Sequence, residues 1–177
     1  MRSLTLIILS SCLIAVAYPA ASGAGAGRYE TNAAYLDSVF PGGPPASSTL
    51  WVQGDFRQTI ESFLGHRFVS LRVRYWRDGE TTAWILDEIG KELPITIGVT
   101  VSDGAIHRVR ILEFRESRGW EVRYPFFTDQ FRNARLETDG NLDRKIDGIT
   151  GATLSVRAVT RMARVALLFH EEVTQEK

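Results

Sequence analysis

The feature that most constrains the fold is a strict alternation of apolar and polar residues in the middle of the chain. Apolar side chains occupy every second position from Ile95 to Val101, the dipeptide Asp103-Gly104 follows, and a second run extends from Ile106 to Phe114. Alternation with a period of two predicts a strand with one buried face, and Asp-Gly is a hairpin turn signal. We therefore predict a β-hairpin within an antiparallel sheet that carries helices on one side.

A second hairpin and several helices complete the predicted fold. Apolar residues from Phe68 to Tyr75 and from Ala83 to Leu86 flank a polar turn, which predicts two further paired strands. Apolar side chains at helical spacing predict helices over residues 30–40, 56–64, 126–131 and 155–172. We expect Asp55 to cap the second helix and Gly65 to end it. The predicted fold class is α+β: a single domain with an antiparallel β-sheet and helices packed on it.

Composition and charge agree with one globular domain and argue against nucleic acid as a partner. The 177 residues include 21 Lys and Arg against 21 Asp and Glu, and 44% of the residues are hydrophobic. This apolar content is enough for a core, which excludes a disordered tail. Nucleic-acid binding usually requires an excess of basic residues, and this chain has no such excess.

The amino-terminal segment is typical of an export signal. Arg2 precedes an apolar run from Leu4 to Ala17, and small residues follow as far as Ala24. This pattern predicts a signal peptide over residues 1–24 and a periplasmic or other extracytoplasmic location. The alternative is an uncleaved segment that associates the protein with a membrane. Residues 25–45 are predicted to be a tether and a short helix, and residues 46–177 the folded domain.

Few residues are left for thiol or metal chemistry. Removal of the signal would take away Cys12, the single cysteine of the chain, and with it any thiol nucleophile or cysteine ligand. His66, His107 and His170 stand without carboxylates at ligand spacing, so no metal site is predicted. The segment from Asp139 to Asp143 resembles the start of a calcium loop, but no glutamate follows at the required distance, and a plain turn is predicted.

A loop of small and hydroxyl-bearing residues precedes the last predicted helix. It runs Asp147-Gly148-Ile149-Thr150-Gly151-Ala152-Thr153-Leu154-Ser155. Small residues let a ligand approach the backbone, and free amides at a helix start favour an anion such as phosphate. No lysine follows the glycine, so the loop is not a nucleoside-triphosphate P-loop. The alternative interpretation is structural: Ser155 caps the helix after a turn.

The hexapeptide Thr150-Gly151-Ala152-Thr153-Leu154-Ser155 resembles the flavinylation motif of the FMN-binding domain family. That family includes the periplasmic FMN-carrying subunits of sodium-pumping NADH:quinone oxidoreductases and of Rnf complexes. Its members join FMN through its phosphate to the last hydroxyl of the motif. The resemblance extends from about Gly90 to His170 and implies a covalent FMN on Ser155, where the family more often has threonine. It also implies FMN contacts from the rest of the motif and the acid before it: Thr153, Ala152, Gly151, Thr150 and Asp147.

A second segment resembles the same family. Glu116-Ser117-Arg118-Gly119-Trp120 stands where members from redox complexes carry a Glu-Thr-Pro-Gly turn against the flavin, with Arg118 in place of proline. The resemblance therefore implies that four of these residues help to bind FMN: Glu116, Ser117, Gly119 and Trp120. Four aromatic residues are candidates to stack on the flavin ring, with ordinary core positions as the alternative: Trp120, Tyr124, Phe126 and Phe127. Arg118 or Arg123 is a candidate to stabilise the reduced flavin, with a solvated position as the alternative.

The resemblance implies an exported flavoprotein that carries electrons, with residues 46–177 as its FMN-binding domain. It implies a FAD-dependent periplasmic flavin transferase for maturation and a membrane or periplasmic redox protein as partner. Two other functions remain open. One is a module that binds FMN or another phosphate-bearing ligand without a covalent bond. The other is a secreted flavin reductase or dehydrogenase with its own substrate, for which the sequence offers no clear general acid or base.

Overall fold

The computed structural model describes residues 25–175, which contain six strands and four α-helices. In chain order these are β1 (Gly27–Arg28), α1 (Asn32–Val39), β2 (Ser48–Trp51), α2 (Gly54–Leu64), β3 (Arg72–Asp78), β4 (Thr81–Ile89), β5 (Pro94–Ser102), β6 (Ala105–Phe114), α3 (Pro125–Thr128) and α4 (Thr153–Thr174). Two 3-10 turns, Trp120–Arg123 and Asp129–Phe131, flank α3. The predicted signal peptide, residues 1–24, lies outside the described residues.

The strands form one antiparallel sheet in the order β1-β6-β5-β4-β3-β2. Both predicted hairpins are confirmed, as β3–β4 and β5–β6. At the β5–β6 turn Asp103 and Gly104 have φ of 52° and 70°, the left-handed pair that a tight two-residue hairpin requires. The predicted α+β class with an antiparallel sheet is therefore confirmed.

The main core lies between the sheet and α4. Trp84 on β4, Ile97 and Val99 on β5 and Phe169 on α4 are fully buried in it. The Trp84 ring lies 5.2 Å from the Phe169 ring, and α2 adds Ile60 to the same cluster. Within residues 25–175, no helix combines the length and the apolar character needed to span a membrane. The burial of these side chains fixes α4, and with it the start of that helix, against the sheet.

A second, smaller core lies on the opposite face of the sheet, so the prediction of helices on one side only is wrong. There α1 packs Tyr35 and Leu36 against alternate residues of β4 and β6, such as Ala83 and Leu112. The physical reason is Gly98 on β5: a Cβ atom at that position would lie 2.8 Å from the Tyr35 ring. The glycine therefore leaves room for the buried ring, whose hydroxyl is hydrogen-bonded to Thr100 at 2.9 Å.

The start of α2 and the segment before α1 differ from their predictions. Gln53 takes the N-cap position of α2 and Asp55 lies inside the first turn, so the predicted Asp55 cap is wrong. The chain turns at Gly54, whose φ is 58°, so the helix begins before Asp55. The Asp55 carboxylate, in the first turn, interacts favourably with the positive end of the helix dipole instead. Gly65 ends α2 at φ 73°, as predicted. Gly27, within the segment 25–45 predicted as a tether and a short helix, lies in β1 and pairs with Phe114 of β6.

Candidate functional site

The site is built around the start of α4. The helix begins at Thr153, and Ala152 takes the N-cap position, where its methyl group cannot accept a hydrogen bond. The first backbone bond of helical type runs from the Val156 N–H to the Ala152 carbonyl at 2.9 Å. The N–H groups of Thr153, Leu154 and Ser155 thus have no backbone acceptor in residues 25–175. Three donors and the positive end of the helix dipole are available to an anion.

Ser155 is the third residue of α4, so the alternative interpretation in which it caps the helix is wrong. The reason is that the chain turns at Gly151, whose φ is 83°, and enters the helix two residues before the hydroxyl. Ser155 is only 4% exposed and lines a cavity. Its hydroxyl makes no hydrogen bond to any residue that the structure describes. Within residues 25–175 the Oγ atom is not among the buried side-chain atoms left without a partner, so it opens onto this cavity, and its position points to a use other than helix capping.

Gly119 lies directly against this hydroxyl. Its φ is 91°, and a Cβ atom built on it would lie 2.5 Å from Ser155 Oγ and 3.5 Å from the Ala152 Cβ. Only glycine combines this left-handed conformation with such a close approach. The turn after β6 and the start of α4 therefore meet because residue 119 has no side chain.

Glu116 fixes the opposite wall of the site. Its Oε1 accepts hydrogen bonds from three consecutive backbone N–H groups, those of Lys91, Glu92 and Leu93, at 2.6, 2.5 and 2.8 Å. Burial raises the pKa of a carboxyl group, but these donors and the Lys91 ammonium hold the pKa of Glu116 below its ordinary value of 4.5. The carboxylate is therefore charged at neutral pH and ties the β4–β5 loop to the end of β6.

Between these walls lies a cavity of about 390 Å³, which we call the site cavity. It is lined by residues 151–155 on one side and by residues 116–118 and Lys91 on the other. Its volume falls within the roughly 300–1,000 Å³ of small-molecule sites. Three free amides, the Ser155 hydroxyl and the cations Lys91 and Arg118 suit a phosphate group. The residues present thus fit the phosphate end of FMN.

The structure brings together most of the site residues named from the sequence. Those that line the site cavity are Glu116, Ser117, Gly151, Ala152, Thr153 and Ser155, and Gly119 touches Ser155. Thr150 and Asp147 are exposed in the preceding loop and do not line the cavity, and the Asp147 N–H donates to the Gln130 side chain at 2.7 Å. Lys91 was missed, because its place depends on a contact across 25 residues of sequence.

The candidate stacking residues divide between core and surface. Phe127 is fully buried against Phe131, so it is a core residue and cannot stack on a flavin. Trp120 is half-buried and packs on the main core. Tyr124 and Phe126 are exposed and stack on each other with centroids 6.2 Å apart.

The two candidate arginines have different surroundings. The Arg123 guanidinium lies between the Tyr29 and Tyr124 rings, 4.4 and 4.8 Å from their centroids. Its buried Nε has no hydrogen-bond partner among residues 25–175. Arg118 is exposed and lines the site cavity, so of the two it is the one placed beside the motif.

Substituting Glu116 with glutamine is expected to lower the free energy of unfolding at pH 7 by about 1–2 kcal/mol, since its bonds lose their charge. The folded-state pKa is lowered, so the wild-type contribution is present above the unfolded pKa, the ordinary value of 4.5, and is lost as the pH falls through the folded pKa. Urea unfolding from pH 7 downward should therefore show the two proteins converging in acid. The exposed Glu137→Gln variant is the control and should match wild type throughout. A difference that persists unchanged at low pH would contradict the assignment.

The match to a family model agrees with this geometry. The model described as the FMN-binding domain matches residues 90–168. That span begins at Gly90, beside the loop that Glu116 holds, and ends within α4, so it contains all the site residues named from the sequence. In a comparison with curated proteins, no match to the chain is found. Residues 90–168 therefore belong to the FMN-binding domain family, and the protein is a flavin-binding protein.

Proposed function

We propose that the protein is an exported electron carrier that holds FMN through a phosphoester bond between the FMN phosphate and Ser155 Oγ. The observation that carries this proposal is the place of Ser155, a largely buried residue in the first turn of α4 whose hydroxyl opens onto the site cavity. No other described residue competes for it as a hydrogen-bond partner. A phosphoester at this position would be surrounded by the free amides of the first turn and by the positive end of the helix dipole.

Two basic side chains extend the anion-binding surface. Lys91 and Arg118 line the same cavity. The Lys91 ammonium forms an ion pair with the Glu92 carboxylate at 2.9 Å, whereas Arg118 makes no ion pair within residues 25–175. The Glu116 carboxylate is occupied by backbone donors of the β4–β5 loop. We infer that Arg118 contributes charge to phosphate binding and that Glu116 shapes the wall.

Attachment would be a transfer from FAD catalysed by a periplasmic flavin transferase. The bond that forms joins Ser155 Oγ to the phosphorus of the FMN half. The bond that breaks is the diphosphate link of FAD, so AMP leaves and the hydroxyl proton is released. Ser155 is then an anchor and takes no part in turnover.

The role of electron carrier follows from this anchoring. When bound, FMN supplies reversible transfer of one or two electrons. The chain supplies the bond, the amide donors and a fixed position. Outside the cytoplasm, where the predicted signal over residues 1–24 would direct the chain, a diffusible cofactor would be lost. A membrane or periplasmic redox protein is the partner that this role requires.

The test is the intact mass of the protein, expressed from its complete coding sequence with and without a FAD-dependent flavin transferase. We expect a mass gain of one FMN less one water only when the transferase is present, and a yellow colour that survives acid precipitation. The same spectrum reports whether residues 1–24 have been removed. A yellow protein without the mass gain would replace this proposal with the non-covalent module. Sustained oxidation of NADH without a protein partner would favour the enzyme instead.

A further inference from the structure

A second concave surface lies on α4, away from the site cavity. It is a groove of about 650 Å³ between residues 156–164 of α4 and residues 137–146, and we call it the basic groove. No residue lines both the basic groove and the site cavity. The function proposed above makes no use of it.

The groove concentrates positive charge in a chain that is neutral as a whole. Five of its lining residues are cationic and two are acidic. Of the chain's 21 Lys and Arg residues, about a quarter therefore face this one surface. Lys145 and Arg157 are exposed and make no ion pair or hydrogen bond through their side chains within residues 25–175. Clustered like charges repel one another, and an anion bound in the groove would relieve that repulsion.

The other three cations are only partly neutralised. Arg144 pairs with Asp143 at 2.9 Å. Arg161 lies 3.4 Å from the buried Glu88, a carboxylate that it shares with a histidine. The groove thus keeps a net positive charge after its internal pairs are formed.

Arg164, the third of these, is held in place by contacts other than an ion pair. Its Nε donates to the Gly140 carbonyl at 2.5 Å, and its guanidinium lies 4.7 Å from the centre of the Phe63 ring. No carboxylate of the described residues lies within ion-pair distance of it. The pKa of Arg164 lies below its ordinary value, mainly because the side chain is partly buried. The Asp139 carboxylate raises this pKa, and the Arg161 guanidinium lowers it. The guanidinium is therefore oriented by a carbonyl and a ring, with its charge not used in an ion pair among the described residues.

The spacing of the cations indicates the shape of the anion. Arg157, Arg161 and Arg164 stand at positions i, i+4 and i+7, so they share one face of α4 over about 10 Å. An extended peptide covers that length with about three residues. A single phosphate would instead need donors that converge on one point, and a flat bilayer surface cannot enter a concave groove. Ile146 and Val156 add apolar surface between the charges.

We propose that the basic groove binds an acidic segment of a protein partner, an extended peptide that carries carboxylates with an apolar side chain between them. Its carboxylates pair with Lys145, Arg157 and Arg164, and its apolar side chain packs on Ile146 and Val156. This binding site goes beyond the flavin site and does not require FMN. The peptide-binding proposal can therefore be tested independently of the covalent attachment at Ser155.

The test uses protein expressed from the complete coding sequence and a fluorescein-labelled peptide of alternating glutamate and leucine, measured by fluorescence anisotropy. We expect binding at about 0.05 M NaCl that weakens at about 0.5 M. The Lys145→Glu/Arg157→Glu variant is expected to bind at least about tenfold more weakly. The Arg67→Glu/Arg74→Glu variant is the matched control: it makes the same charge change at exposed arginines outside the groove and should bind as wild type does.

A folding control and two contrary results complete the test of peptide binding. Thermal melting establishes that both variants are folded, and Lys145→Gln/Arg157→Gln repeats the comparison without charge reversal if the first pair unfolds. Absence of peptide binding at low salt, or equal weakening in the control pair, would overturn the proposal. Tighter binding of a single-stranded oligonucleotide than of the peptide would also overturn it, in favour of a nucleic-acid site.

Discussion

Ser155→Ala is expected to abolish covalent FMN completely while leaving the protein folded. The substitution removes the single atom to which we propose the phosphate is bonded. The neighbouring hydroxyls of Thr150 and Thr153 belong to exposed residues five and two positions earlier in the chain. Intact mass after expression with a flavin transferase measures the effect, which should be all or none. Thr153→Ala is the matched control, because it removes a hydroxyl from the first turn of the same helix.

The stability of Ser155→Ala separates an anchor from a structural serine. A capping serine would cost about 0.5–2 kcal/mol on substitution by alanine. Here the hydroxyl makes no hydrogen bond to a described residue and alanine is the better helix former, so we expect the unfolding free energy to be unchanged or slightly higher. Urea unfolding of the two proteins without flavin makes the comparison. Covalent FMN on Ser155→Ala, or its loss from Thr153→Ala alone, would move the anchor to another residue.

Gly119→Ala is the second substitution with a large expected effect. Its added Cβ would lie 2.5 Å from Ser155 Oγ, at a backbone φ of 91° that alanine rarely adopts. Strain and overlap together are expected to lower the free energy of unfolding by about 2–4 kcal/mol. The overlap falls on the hydroxyl that we propose as the acceptor, so flavin content should drop to a small fraction of the wild-type value. Urea unfolding and intact mass measure the two effects.

Two further variants divide this effect into its causes. Gly43 has a similar φ of 94° but open space around it, so Gly43→Ala reports the cost of the conformation alone. In Gly119→Ala/Ser155→Ala the closest overlap is removed, and the next contact, 3.3 Å to the residue 155 Cβ, is milder. We expect part of the lost stability to return in this double variant. If Gly119→Ala proves no worse than Gly43→Ala, the close approach of the two segments is not as described.

The sheet was predictable from the sequence because its signals are local. The alternation around Asp103-Gly104 identifies β5 and β6 without knowledge of any distant residue. The position of α1 was not predictable, because it depends on Gly98 leaving room for a ring 63 residues away along the chain. An alternating pattern states which side chains share a face, but it does not state what covers the second face.

The site shows the same division. Ser155 and Gly119 were named from short motifs, and the structure places them in contact. The part played by the β4–β5 loop could not be predicted, because Glu116 binds it through backbone N–H groups that every residue type except proline carries. The start of α4 was placed two residues late because a serine is a frequent cap and alanine is not, yet here Ala152 takes that position.

The 22-residue helix that presents Ser155 also decides how a group bonded there can move. In carrier proteins that attach a group to an exposed loop or to a long lysine side chain, the group can move between the sites of different partners. The proposed acceptor atom lies on the third residue of a helix whose later turns are buried in the main core, so a group bonded there would share the motion of the whole domain. If the protein carries electrons as we propose, the flavin would stay in a fixed position on the domain, and each redox partner would have to bind the domain in turn.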